Sequence, residues 1–123
     1  MKDRRYVIAI VDDDQRVLES LGELLESAEY SVRLFESAES FLESDALNAC
    51  DALISDIRMP GVDGIELQRR MGSGRPQLPV ILMTARSDVD FAGMRQPNNR
   101  AIFRKPVDAT ELLAAIEGAL AKT

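Results

Sequence analysis

Tyr6-Val7-Ile8-Ala9-Ile10-Val11-Asp12-Asp13-Asp14 is an apolar run that stops on three consecutive carboxylates. A near-continuous run of this length suits a strand covered on both faces, not one with a wet side. Val80–Met83 has the same character. Between and around such runs the apolar spacing changes period. Val17, Leu18, Leu21, Leu24, Leu25 and Ala28 recur at helical spacing over Gln15–Glu29. Strand-like and helical stretches therefore alternate from the start of the chain.

The alternation continues to the end. Ser31–Phe35 reads as a short strand. Ser37–Ser44 reads as a short helix with Ala38, Phe41 and Leu42 inward. A strand over Ala52–Ser55 and a helix from about Gly64 to Met71 follow. Gly72-Ser73-Gly74-Arg75-Pro76 is expected to be a loop because of its breakers. Pro79–Thr84 and Ala101–Arg104 complete five strands. Asp108-Ala109-Thr110-Glu111 has capping-box spacing and opens a last helix through Leu112, Leu113, Ile116 and Leu120. The segment Asp88–Arg95 is expected to be a short or irregular fourth helix. Gly93 lies inside it, and Gln96 precedes Pro97 and is pushed from helical angles.

Strand–helix alternation implies right-handed crossovers and an α/β doubly wound parallel sheet, expected in the order 2-1-3-4-5. Strand carboxyl ends then meet at one edge. The crevice lies outside strands 1 and 3, which end on Asp12–Asp14 and on Asp56. Strand 4 ends at Thr84 and strand 5 at Lys105-Pro106.

Composition narrows the chemistry. At 123 residues the chain is expected to be one domain, 1–123, with a single core. The net charge of −6 argues against direct nucleic-acid binding, which needs a basic surface. No run resembles a membrane span, and the six-residue N-terminal apolar segment is too short for a signal peptide, so a cytoplasmic location is expected. Cys50 stands alone and reads as a buried or half-buried structural thiol. The absence of histidine excludes histidine-based zinc sites, Ser-His and Cys-His catalysis, and phosphohistidine carriage by this chain.

Converging carboxylates repel unless a cation joins them or their pKa values rise. Mg²⁺ prefers oxygen ligands and keeps several waters, which suits strand-end carboxylates with one backbone carbonyl. A carboxylate beside such a metal can attack phosphorus, because the cation screens both partners. A lysine and a threonine hydroxyl would hold other phosphoryl oxygens.

Val11-Asp12-Asp13, Asp56-Ile57-Arg58-Met59-Pro60-Gly61-Val62-Asp63-Gly64, Pro79-Val80-Ile81-Leu82-Met83-Thr84-Ala85 and Lys105-Pro106 stand in this order, each at a strand end. Together they resemble the response-regulator receiver domain of bacterial two-component signalling, across essentially the whole chain. The resemblance implies a flavodoxin-like fold and a phosphorylation-dependent switch, a signal-transduction phosphoprotein and not a turnover enzyme. Asp56 would be the phosphoacceptor. Asp13, Asp56 and the Arg58 backbone carbonyl would ligate Mg²⁺ (or Mn²⁺), with Asp12 assisting. Thr84 would be the switch hydroxyl, Lys105 would contact the phosphoryl group, and the Lys105-Pro106 bond would be cis. The implied partners are a histidine kinase or phosphotransfer protein, and a second copy on phosphorylation. The Asp-Ile-Arg-Met-Pro wording is similar to that of receivers attached to transcription factors. No output domain is expected in this chain.

Other readings compete residue by residue. Asp12–Asp14 can begin a helix. Asp63-Gly64 reads as a turn and helix entry. Asp45, Asp51, Asp88 and Asp90 read as solvated loop or cap residues, and Arg4-Arg5 as a solvated terminus. Arg58 and Arg86, each two residues past a site residue, either slow water attack on an aspartyl phosphate or are surface charge. Receivers usually place an aromatic ring three residues before the lysine, where this chain has Ile102. Phe103 faces the other way and cannot substitute for it. An aspartate-nucleophile phosphohydrolase, a flavin module on the same fold and a phosphate-independent receiver remain rivals.

Overall fold

In a computed structural model, residues 5–85 and 95–121 are described. The elements run β1 (Val7–Val11), α1 (Gln15–Ser27), β2 (Ser31–Phe35), α2 (Ala38–Leu42), α3 (Ala46–Ala49), β3 (Ala52–Asp56), α4 (Gly64–Gly74), β4 (Val80–Thr84), β5 (Asn99–Arg104) and α5 (Ala109–Ala121). The helix expected over Asp88–Arg95 lies outside the described residues except for its last position, as do Arg4, Arg86, Asp88 and Asp90.

The five strands form one parallel sheet in the order β2-β1-β3-β4-β5. Every residue of β3 and β4 is buried, whereas the edge strands β2 and β5 are only partly so. The pleat sends neighbours to opposite faces. Ala9, Val11, Leu53, Val80 and Leu82 pack with Ala38 and Phe41 of α2, Ala46 of α3, and Leu67 and Met71 of α4. Ile8, Ile10, Ile54, Ile81 and Met83 pack instead with Leu18, Leu21 and Leu25 of α1, and with Leu112, Ile116 and Leu120 of α5. Burial of each large apolar side chain contributes roughly 1.5–3 kcal/mol, so both helix layers are held by these faces. Ile102 packs on the first face and Phe103 on the second, as the alternation requires.

Local chemistry sets the element ends. Asp14 caps α1, accepting from the Arg16 N–H at 3.0 Å. At the other end Glu29 takes φ 73°, while the Tyr30 and Glu29 N–H groups bond to the Leu25 and Glu26 carbonyls. This is a Schellman ending, which stops α1 two residues short of the expected limit. The expected helix over Ser37–Ser44 is present as α2, capped by Ser37 with Ala38 and Phe41 buried, and a further short turn, α3, follows it. The Ser44 hydroxyl bonds back to the Phe41 carbonyl and accepts from the Ala46 N–H, and so breaks the run.

The largest departure is at Gly72-Ser73-Gly74, which continues α4 rather than forming a loop. Two glycines cost about 1 kcal/mol each in a helix. Tertiary ties oppose that cost. Met71 is buried, the Arg75 N–H bonds to the Met71 carbonyl at 2.7 Å, and its guanidinium donates to the Leu47 and Cys50 carbonyls. Cys50 is buried, and burial pushes its thiol pKa up.

Candidate functional site at the carboxyl edge of the sheet

β1 and β3 are hydrogen-bonded neighbours, with Val11 opposite Ser55. The residues just beyond this register, Asp12 and Asp56, therefore leave the sheet side by side. Asp12 is 0% exposed and Asp56 6%. Asp13 is exposed, yet it joins them. Carboxylate oxygens of Asp12, Asp13 and Asp56 all lie within 4.8 Å of one another.

Lys105 enters from the end of β5. Its Nζ donates to Asp12 Oδ2 at 2.8 Å and lies 3.4 Å from Asp56 Oδ1. The backbone places it there: the Lys105 N–H bonds to the Thr84 carbonyl at 2.8 Å, and the Lys105-Pro106 peptide is cis. Thr84 itself is buried at the end of β4. Asp12 has its other oxygen occupied as well, since Oδ1 accepts from the Asp14 N–H at 2.9 Å.

The electrostatics follow from this crowding. Burial, then the charge of Asp12, push the Asp56 carboxyl up to about 6. The charge and hydrogen bond of Lys105 only partly oppose them, and Asp13 adds to the rise. Burial disfavours the Lys105 ammonium, but its hydrogen bond to Asp12 and the charge of Asp56 outweigh that and raise its pKa. One ammonium thus serves two buried carboxylates, and the cluster carries an excess of negative charge.

The loop after Asp56 is pinned at its base. The Ile57 N–H bonds to the Met83 carbonyl, extending the β3–β4 ladder, and the Gly64 N–H returns to the Ile57 carbonyl at 2.9 Å. A methyl group on Gly64 would collide with the Asp56 carbonyl, so only glycine permits this close return. Ile57 and Met59 are buried, while the Arg58 side chain points to solvent. Asp63 caps α4 through the Glu66 N–H, as a helix-entry residue should.

The side chains of Asp12, Asp13, Asp56 and Lys105 thus lie together, and Thr84 adjoins Lys105 through its backbone carbonyl. Asp14 separates from them as a helix cap. Asp51, read as a solvated residue, instead accepts from the Val7 N–H at 2.8 Å and ties the start of β1 to the start of β3. Asp45 keeps its exposed character, paired with Arg33. Sequence reading missed Glu39, whose carboxylate accepts from the Val62 N–H at 3.0 Å. Its position in the first turn of a capped helix explained it locally and gave no hint of this long-range bond.

Comparison with known proteins agrees with this geometry. The family described as "Response regulator receiver domain" matches residues 8–117. The chain is 40% identical over 122 residues to the response regulator protein TodT of Pseudomonas putida strain F1, covering 98% of this chain and 53% of that protein. It is 38% identical over 114 residues to the transcriptional regulatory protein FixJ of Bradyrhizobium diazoefficiens, covering 92% of this chain and 56% of that one. The chain thus spans about half the length of these curated relatives. Among solved structures, the response regulator StyR superposes with a TM-score of 0.87 at 34% identity, over 96% of this chain and 60% of that one. The structure titled FixJ-N superposes with a TM-score of 0.83 at 32% identity, over 100% and 98%. No described helix is long and apolar enough to cross a membrane.

Proposed function

The chain belongs to the response-regulator receiver domain family, and on that premise we propose that Asp56 is its phosphoacceptor. Receivers of this kind are signalling domains, not metabolic enzymes. One observation carries the assignment. Asp56 ends the central strand β3 with two further carboxylates within 4.8 Å and the Lys105 ammonium 3.4 Å away.

A hard divalent cation fits the donor set, which is all oxygen, in excess negative charge and open on the Asp13 side. Asp13, Asp56 and the Arg58 carbonyl would hold Mg²⁺ (or Mn²⁺), with Asp12 assisting. When bound, the ion neutralises the carboxylates and the phosphoryl oxygens they approach. Asp56, as the carboxylate, forms its Oδ–P bond as the P–N bond of a donor phosphohistidine breaks. The departing imidazole takes up a proton. Lys105 then pairs with a phosphoryl oxygen, and the Thr84 hydroxyl donates to another. The chain catalyses this change to itself and its reversal, with no turnover of metabolites.

The donor is a histidine kinase or a phosphotransfer protein in the cytoplasm. Residues 1–123 act as a single receiver domain. Phosphorylation changes the partner-binding face and favours a homodimer, in the setting of a transcriptional regulator. The domain makes no contact with nucleic acid or membrane. Asp12 is a poor candidate for the nucleophile of a phosphohydrolase. It is fully buried, and both of its oxygens already accept hydrogen bonds.

Incubation with acetyl phosphate and Mg²⁺, followed by intact mass measurement, tests the assignment. One added phosphoryl group is expected, abolished by a chelator. No adduct with the wild-type chain would overturn it.

A further inference from the structure

Glu39 lies on α2, outside the carboxylate cluster, yet it reaches the loop that follows Asp56. We infer that Glu39 is a positioning residue for the metal site: it fixes the far arm of the loop that presents the Arg58 carbonyl. The inference rests on the metal-dependent reading above.

Three observations support it. Glu39 Oε2 accepts from the Val62 N–H at 3.0 Å, across a sequence separation of 23 residues. Gly61, next to Val62, has φ 77°, which favours glycine, and a methyl group there would meet that same carboxylate oxygen and push it aside. The two features fit each other: the left-handed glycine lets the chain lie against the glutamate, and the glutamate satisfies the next N–H. The bond to Val62 is also the main reason that the Glu39 carboxyl is held below its usual range.

The remaining anchors of the loop explain why this one matters. Its base is closed by the Gly64 N–H to the Ile57 carbonyl, and its middle is held by buried Met59. Pro60 restricts one torsion but offers no N–H. The side chain of Arg58 is exposed and adds no buried packing beside its own carbonyl. The direction of that carbonyl is set by what holds the residues on either side. Beyond Met59, the Val62 side chain packs on the core cluster that includes Ala38 and Phe41 of α2, and the hydrogen bond from the Val62 N–H to Glu39 fixes the direction of the backbone there.

The test uses the purified chain and Mg²⁺ alone, titrated by amide chemical shifts, with no phosphodonor. Glu39→Ala is expected to weaken Mg²⁺ binding about fivefold, the scale of one lost hydrogen bond. Glu39→Gln keeps an acceptor oxygen and is expected to stay within about twofold of wild type. In metal-free protein, exchange of the Val62 amide should quicken in Glu39→Ala by more than that of the buried sheet amides. Equal Mg²⁺ affinity in Glu39→Ala and wild type, or equal weakening in the Gln and Ala variants, would overturn the inference. Failure of wild type to bind Mg²⁺ would instead overturn the metal reading on which it rests, and Val62 exchange still distinguishes the two.

Discussion

Lys105 Nζ sits closer to Asp12 than to Asp56, at 2.8 Å against 3.4 Å. The ammonium therefore already holds a full partner, and the proposed phosphoacceptor has only a share of it. A phosphoryl group on Asp56 would bring new oxygens to this ammonium, so the pair Lys105–Asp12 is the contact that phosphorylation competes with.

Lys105→Met leaves the carboxylates without their ammonium. A nearly buried pair that loses one partner is destabilised, by about 1–3 kcal/mol after discounting for the partial exposure of the lysine. Urea denaturation without metal is expected to show that loss. Millimolar Mg²⁺ should recover part of it, because a bound cation again neutralises the cluster.

Asp56→Asn is expected to stabilise the metal-free chain at pH 7. The folded carboxyl titrates at about 6, above its unfolded value of 3.8. The folded state thus binds the proton more tightly, and ionisation of Asp56 disfavours folding increasingly as pH rises from about 4 to 6. The asparagine escapes that penalty, on the order of 1–3 kcal/mol above pH 6. Thermal unfolding should show the gap between variant and wild type closing as pH falls below about 4.

Gly64→Ala places a methyl group against the Asp56 carbonyl. Overpacking against backbone costs about 1–3 kcal/mol or more, and relief requires the loop or the strand end to move. Lower stability together with slower acetyl phosphate labelling is expected. Unchanged kinetics would show that the loop base does not position Asp56.

Arg58→Ala tests whether the backbone or the side chain of that residue serves the metal. The side chain is exposed. A carbonyl ligand survives the substitution, so Mg²⁺ affinity should stay within about twofold, as for surface changes in general. A tenfold change in a Mg²⁺ titration would assign the role to the guanidinium.

Much of this was legible in the sequence because two signals coincide. Apolar runs covered on both faces gave the parallel strands, and the polar residues ending them, Asp12, Asp56, Thr84 and Lys105, fell at one edge by topology alone. The family resemblance then assigned roles that spacing does not carry. What escaped was tertiary. The continuation of α4 through Gly72 and Gly74 depends on Arg75 reaching the Leu47 and Cys50 carbonyls, which local propensity cannot show. The bond of Asp51 to the Val7 N–H joins residues 44 apart, and that of Glu39 to Val62 spans 23. Each looks like an ordinary surface carboxylate when read along the chain.

The central claim is that one carboxylate, Asp56, takes the phosphoryl group. An acyl phosphate is reduced by borohydride to an alcohol, which marks its position permanently. After labelling with acetyl phosphate and Mg²⁺, reduction and peptide sequencing by mass spectrometry should find homoserine at position 56 alone, and none in Asp56→Asn. Homoserine at position 12 or 13, or an undiminished adduct in Asp56→Asn, would contradict the account.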